Sequence, residues 1–220
     1  MARDAYYPLF ADLHGRTCVV VGGGLIAQRK ITALLGYGAR VTVVSPTVTA
    51  RLRASARAGR IRHVARRFKA CDVERAWLVF AATDDQAIND AVFRAATRAR
   101  IFTNVVDQKP LCSFIAPAIA RRGDVVVAVS TGGGSPALAK RVRRDVAELI
   151  GDNYARMLRL LRGLRAMAKR RLPTYQDRKR YFDGLIGGRV FALVKAGQVQ
   201  AARREALQAL SRSAGRNGSR

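Results

Sequence analysis

Between Thr17 and Val106, short β-branched runs take turns with segments whose apolar residues recur every three or four positions. Thr17–Val21 (TCVVV), Arg40–Val44 (RVTVV), Ile61–Val64, Trp77–Ala82 (WLVFAA) and Ile101–Val106 predict strands, and the fourth is apolar enough to be fully buried. Leu25–Leu35 predicts a helix through Ile26, Ile31, Leu34 and Leu35. Thr47–Ala58 and Asp84–Ala99 predict two more, the second with Ile88, Val92 and Ala96 on one face. Strands separated by helices of this length imply βαβ units, a mostly parallel sheet and a doubly wound, Rossmann-like α/β fold.

The rhythm changes after residue 106. DQKPLCSFIAPAIARRGDVVVAVSTGGGSP holds a Pro-bounded segment and one further strand, Val125–Val129, before a helix from Pro136 to Ile150. Residues 154–172 predict a helix with an apolar stripe of Met157, Leu160, Leu161 and Leu164. RVFALV at 189–194 suits strand or helix equally. The expected organisation is a Rossmann-like parallel-sheet domain over 1–113, a dimerisation segment over 114–150, a small helical domain over 151–210 and a disordered basic tail over 211–220.

Composition narrows the function classes only partly. No apolar run approaches the length of about 18 residues that a membrane span needs, and MARDAYYPLF lacks the apolar core of a secretory signal. Cys18, Cys71 and Cys112 are odd in number and unrelated in spacing, which argues against a disulfide framework or a thiolate metal site. A cytoplasmic protein is the expectation. Lys+Arg 41 against Asp+Glu 15 gives a net charge of +26, which attracts polyanions: nucleic acid, anionic membrane or a small molecule with many carboxylates. An arginine-rich composition produces the same number without any partner, so charge alone decides nothing.

VVVGGGLIAQRK, residues 19–30, is more informative. Gly22, Gly24 and Ala27 form G-x-G-x-x-A between a predicted strand and a predicted helix. The first glycine permits the tight turn, the second lets backbone approach a pyrophosphate, and the small third residue lets helix and strand close up. The alternative is a tight connection without a ligand. The acid expected after the second strand, where it would hold the adenosine ribose, is replaced by Ser45. With Arg51 and Arg53 nearby to welcome a 2′-phosphate, the motif leaves NAD and NADP undecided. Asp107 closes the strand NVV at the sheet edge where ligands collect, as a catalytic carboxylate or a turn-forming Asp. His14 and His63 read as structural, and no His/Cys cluster offers a metal site.

Taken together, VVVGGGLIAQRK, VTVVSP, AATDD, NVVD, SFIAPA and VAVSTGGGSPALAKRVR resemble the precorrin-2 dehydrogenase/sirohydrochlorin ferrochelatase family, which includes the N-terminal part of fused siroheme synthases. The resemblance spans residues 7 to 183. It implies NAD-dependent oxidation of precorrin-2 to sirohydrochlorin, followed in some members by insertion of ferrous iron, an oxidoreductase step and a lyase step. It also implies a homodimer, and no nucleic-acid or membrane partner. Residue by residue, it places Gly22, Gly24, Leu25 and Ile26 at the pyrophosphate, Pro46 and Thr47 along the adenosine, and Thr83 near the nicotinamide half. Asp107 matches the active-site carboxylate. Thr131, where relatives often carry serine, and Ser135 lie in a substrate-binding or regulatory loop. Iron would be received by the tetrapyrrole itself. Arg156, Arg159, Arg162 and Arg165 recur at helical spacing, either as a solvated face or as a field that steers a polyanionic substrate. The chain ends near residue 220, so the expectation is that another protein supplies the methyltransferase step. An NAD-sensing regulatory module without catalysis is the alternative, although NVVD and STGGGSP have no role in it. Nucleic-acid binding lacks a helix-turn-helix or an aromatic platform.

Overall fold

The computed structural model describes residues 6–215. The chain divides into two compact units, the first running to Ala116 and including Gly132–Gly134, the second comprising Pro117–Thr131 and Ser135 onward.

The first unit is built on five parallel strands: β1 (Thr17–Val21), β2 (Arg40–Val44), β3 (Arg62–Val64), β4 (Leu78–Ala81) and β5 (Phe102–Val105). Their order in the sheet is β3-β2-β1-β4-β5. The chain reverses its direction of winding between β1 and β4, and such a switch point is where ligands enter doubly wound sheets. Register levels the carboxyl ends, because Val21 lies beside both Val44 and Ala81, and Ala81 beside Val105. Alternation sends Cys18, Val20, Val41, Val43 and Phe80 to one face, against Ala27, Ile31 and Leu34 of α1 (Leu25–Gly36) and Leu52 of α2 (Ala50–Arg57). Val19, Val21, Val44, Val79, Ala81 and Val105 go to the other, against Val92 and Ala95 of α3 (Gln86–Arg98). Both faces are covered, which is why the strands read as continuous apolar runs.

The second unit opens with β6 (Ala118–Arg122) and β7 (Val125–Val129), an antiparallel hairpin turning through Gly123 at φ +56°. Helix α4 (Pro136–Ile150) contacts both strands. Helices α5 (Asn153–Arg171), α6 (Tyr175–Gly187), α7 (Arg189–Lys195) and α8 (Val199–Gly215) enclose a core of Met157, Leu164, Ala168, Leu172, Tyr181, Leu185, Val190, Val194, Ala202, Ala206 and Leu210. The buried Tyr181 hydroxyl donates to the Ala206 carbonyl at 2.9 Å, and burial pushes its pKa up to about 12.

Four details depart from the sequence expectations. AIARR (Ala118–Arg122) lacks a β-branched run, and its strand exists because β7 pairs with it. RVFALV is helical: Val190 and Val194, one turn apart, both point into the core. Helix α2 starts at Ala50 instead of Thr47, because the Thr49 hydroxyl accepts the Leu52 N–H at 3.3 Å and caps it there. The expected tail over 211–220 is helical as far as Gly215, with Leu210 of α8 buried one turn earlier; residues 216–220 lie outside the described residues. Among the described residues, no helix is long and apolar enough to cross a membrane.

Candidate active site

The three glycines after β1 are glycine for different reasons. Gly22 has φ +116°, and a Cβ there would stand 2.1 Å from the Ala82 carbonyl oxygen. At Gly23 a Cβ would stand 1.9 Å from the Thr47 carbonyl oxygen and 2.9 Å from the Ser45 hydroxyl. These two are required by the protein's own backbone. Gly24 is extended, at φ −80° and ψ −171°, and nothing lies within 4 Å of where its Cβ would be. Neither strain nor packing against the protein calls for glycine at Gly24, which is the N-cap of α1, and its open face leaves room for a ligand to approach the backbone. No side chain caps α1, so its first-turn N–H groups remain available to an anion, supported by the positive end of the helix dipole. Leu25 and Ile26 are 64% and 42% exposed beside this turn, apolar surface suited to the flanks of a nucleotide. These features fit a dinucleotide pyrophosphate.

The loop after β2 is tied to the same turn. Thr49 donates its N–H to the Gly23 carbonyl at 3.0 Å and its hydroxyl to the Gln28 side chain at 2.7 Å. Pro46 and Thr47 are exposed above it. Ser45 is buried, its hydroxyl donating to the Thr47 carbonyl at 2.7 Å, and its own carbonyl meets the His63 ring at 2.9 Å. Ser45 and His63 therefore shape the loop, and neither presents a group to a ribose. Arg51 and Arg53 are exposed on α2.

At the end of β4, the Thr83 hydroxyl accepts the Asp85 N–H at 3.2 Å. The Thr83 carbonyl accepts from the side chain of Asn89, which is buried. Thr83 is thereby fixed over the strand next to the glycine turn. One strand further on, Asp107 follows β5, exposed and at φ +59°. A left-handed backbone is uncommon outside glycine, although Asp and Asn tolerate it best, and it turns this side chain out of the sheet. Thus the glycine turn, Thr83 and Asp107 share one sheet edge, on β1, β4 and β5 in spatial order.

Thr131 and Ser135 belong to the second unit. The Thr131 hydroxyl donates to the Ser135 carbonyl and accepts the Ser135 N–H, both at 3.1 Å, while the Ser135 hydroxyl caps α4 at Leu138. Both hydroxyls build the start of the helix. On α5, Arg159, Arg162 and Arg165 are exposed, Arg156 is half-buried, and Arg162 pairs with Asp124 of the hairpin turn.

The structure adds a group that the sequence reading passed over. Lys30 of α1 places its ammonium 4.9 Å from the centre of the Phe80 ring. Burial pulls it below the ordinary lysine value, and the Asp107 carboxylate and the Cys112 thiol act in the opposite direction. Burial likewise pushes the Cys112 thiol up. The legible signal was positional: Lys30 borders the stripe Ala27, Ile31, Leu34, so a cation there has to run along the core. Among the described residues, no group of three or more His, Cys, Asp or Glu is arranged to hold a metal ion.

Comparison with known proteins agrees with this architecture along its length. The family signature described as putative NAD(P)-binding matches residues 9–118, that of the sirohaem biosynthesis protein central region 122–149, and that of the sirohaem synthase dimerisation region 153–210. The dimerisation description thus falls on the helices, beyond the 114–150 segment to which the sequence expectation assigned it. Siroheme synthases of Methylobacillus flagellatus and Thioalkalivibrio sulfidiphilus are 43% and 42% identical over 93% of this chain. The chain spans less than half the length of these relatives, 44% and 42%. The solved structure of SirC, precorrin-2 dehydrogenase, matches with a TM-score of 0.75 and 28% identity, over 94% of this chain and 100% of that one. The dinucleotide-binding sheet, the central segment and the dimerisation helices follow one another here in a single order, and the chain belongs to the siroheme synthase/precorrin-2 dehydrogenase family.

Proposed function

We propose that the protein oxidises precorrin-2 to sirohydrochlorin with NAD as hydride acceptor. The observation that carries this reading is the match to a precorrin-2 dehydrogenase over that protein's entire length, so that no part of its catalytic unit is left without a counterpart. The regulatory-module alternative finds no support in the comparisons.

The dinucleotide, when bound, supplies the acceptor for a hydride. The chain's own residues do the rest. The α1 N-terminus and Gly24 hold the pyrophosphate, with Leu25 and Ile26 alongside. Pro46 and Thr47 flank the adenosine, and Thr83 lies toward the nicotinamide. Asp107 accepts the proton that leaves with the hydride, so the substrate loses two hydrogens, one to the cofactor and one to the carboxylate. NAD is favoured over NADP because no residue is committed to a 2′-phosphate: Arg51 and Arg53 are surface residues of α2. In a second use of the same carboxylate, Asp107 takes up protons released from the pyrroles as ferrous iron, here a substrate, enters sirohydrochlorin. Thr131 and Ser135 hold the loop before α4, on which substrate binding or its regulation rests. The basic surface favours a polycarboxylate tetrapyrrole. We assign a cytoplasmic homodimer, supported by the dimerisation signature.

The test is spectroscopic. Anaerobic precorrin-2 with the protein and NAD should give the sirohydrochlorin spectrum together with reduced dinucleotide absorbance, and ferrous iron or cobalt should then convert it further. Absence of dinucleotide reduction would refute the dehydrogenase assignment. Light scattering should give twice the chain mass.

A further inference from the structure

Helices α1 and α2 leave a cleft of about 440 Å³ between them, lined by Thr32, Leu35, Arg51, Ser55 and Arg60. Thr32 stands about 12 Å along α1 from Gly24. Arg60 comes just before β3, at the opposite end of the parallel sheet from the glycine turn. The end of α2 builds the cleft. Gly59 takes φ +66°, and its N–H donates to the Ala56 carbonyl while that of Arg60 donates to the Ser55 carbonyl, both at 3.0 Å. This pair of bonds closes a helix through a left-handed glycine. It returns Arg60 to Ser55, and the Arg60 guanidinium donates to the Ser55 hydroxyl at 3.3 Å. Arg51 lies one turn before Ser55 and shares its face of α2.

The chemistry of this lining is one-sided. Ser55 is only 8% exposed. Its hydroxyl oxygen accepts from Arg60, and its proton has no acceptor among the described residues. A buried hydroxyl ordinarily finds partners for both. Arg51 and Arg60 have no carboxylate partner among the described residues, and no acidic side chain lines the cleft. Three side chains thus offer donors to one space that holds no anion of the protein's own. The Thr32 hydroxyl is spent on the Gln28 carbonyl at 2.8 Å, and Leu35 adds an apolar wall. Two guanidiniums and a hydroxyl suit the three terminal oxygens of a phosphate monoester better than the two of a carboxylate. The volume exceeds that of a bare phosphate and falls in the range of small-molecule sites, about 300–1,000 Å³.

We propose that this cleft binds a small organic phosphate, with the phosphoryl group on Arg51, Ser55 and Arg60 and the carbon skeleton against Leu35. The site is separate from the dinucleotide turn and independent of the reaction read at that edge. A phosphate monoester could also come from the 2′-phosphate of NADP, and the test distinguishes the two sources.

Calorimetry on the whole protein uses inorganic phosphate and ribose 5-phosphate as probes. Both should bind at millimolar concentration, ribose 5-phosphate the more tightly. Arg51→Gln and Arg60→Gln should each weaken ribose 5-phosphate about tenfold, as loss of a hydrogen bond to a charged group gives. Ser55→Ala should weaken it about threefold. Arg57→Gln removes the same charge from the same helix outside the cleft and should leave binding unchanged. Equal weakening by Arg57→Gln would assign the binding to the basic surface at large, and absence of binding by both probes would leave the cleft without a ligand; either overturns the proposal. Ribose 5-phosphate should bind equally well to protein saturated with NAD or with NADP. Exclusion by NADP alone would make the cleft the 2′-phosphate end of the cofactor site, and overturns it too. Phenylglyoxal labelling of the unaltered protein, read by peptide mass spectrometry, decides if a variant fails to fold. Ribose 5-phosphate should shield Arg51 and Arg60 and leave Arg57 reactive, whereas equal labelling with and without it refutes the site.

Discussion

The two units treat buried polarity in opposite ways. Ser45, Ser55, Asn89, Thr103 and Asn104, the buried polar residues among those described, all belong to the sheet unit. Most of them are committed to loops: Ser45 closes the turn after β2, Asn89 holds the Thr83 carbonyl, and Asn104 holds the strand leading out past Phe114. The helical unit interdigitates small and branched apolar residues, with Ala168, Ala202 and Ala206 entirely buried and the Tyr181 hydroxyl satisfied by a carbonyl. A parallel sheet delivers several loops to one edge, and positioning them needs hydrogen bonds under the surface at some cost in stability. A helical core closes on itself and leaves outer faces for association.

The largest effect expected is chemical and confined to the sheet unit. Asp107→Ala should slow sirohydrochlorin formation by about 100- to 10,000-fold, the usual contribution of a general base, with NAD affinity nearly intact by calorimetry. A loss below about tenfold would remove Asp107 from the mechanism.

Next comes a contrast between adjacent glycines. Gly23→Ala drives a Cβ into the Thr47 carbonyl at 1.9 Å, and should destabilise the sheet unit by about 1–3 kcal/mol in thermal melts. Gly24→Ala meets no protein atom within 4 Å and should leave stability within about 0.5 kcal/mol, yet weaken dinucleotide binding. Retained affinity in Gly24→Ala would move the cofactor away from this turn.

Smaller effects distinguish the cores. Tyr181→Phe removes the hydroxyl's bond to the Ala206 carbonyl and should cost the helical unit about 1 kcal/mol, with dinucleotide affinity unaltered. Alkali should separate the units as well. Burial raises the Cys18 thiol from 9.0 to about 11 and the Tyr181 phenol from 10.0 to about 12. In each case the unfolded chain releases its proton first, so stability is full below the lower value and falls as pH rises toward the upper one. Weakening should therefore begin near pH 9 in the sheet unit and near pH 10 in the helical unit, resolved by following peptides of each unit in hydrogen exchange. The smallest effect is cofactor choice: NAD should bind more tightly than NADP by only a modest factor, because Ser45 offers no carboxylate to repel a 2′-phosphate. Clear NADP preference would instead give Arg51 or Arg53 that role.

The sheet unit was legible because its strands carry their own signal. Thr17–Val21 and Arg40–Val44 are each β-branched at four of their five positions, and their observed limits agree with the pattern. Strand β6 was not legible, since AIARR owes its conformation to a partner and not to its own residues. RVFALV needed knowledge of which two valines face inward. At the site, the spacing of glycines, Thr83 and Asp107 could be read, because each follows a strand. The seating of Lys30 on the Phe80 ring could not, because those residues are far apart in sequence and meet only where α1 packs against β4. Spacing likewise gave no hint that Ser45 turns inward, which depends on the 2.7 Å bond to Thr47.

The left-handed backbone at Asp107, φ +59°, bears on how this protein can drift. Asparagine and glycine settle there with little strain, whereas most side chains lose about 1–2 kcal/mol. Both are a single nucleotide change from an aspartate codon, and both delete the carboxylate. A lineage released from selection on this position can therefore lose the carboxylate without disturbing the strand end, the glycine turn or the cores. The descendant would remain folded, and misfolding would not remove it from the population.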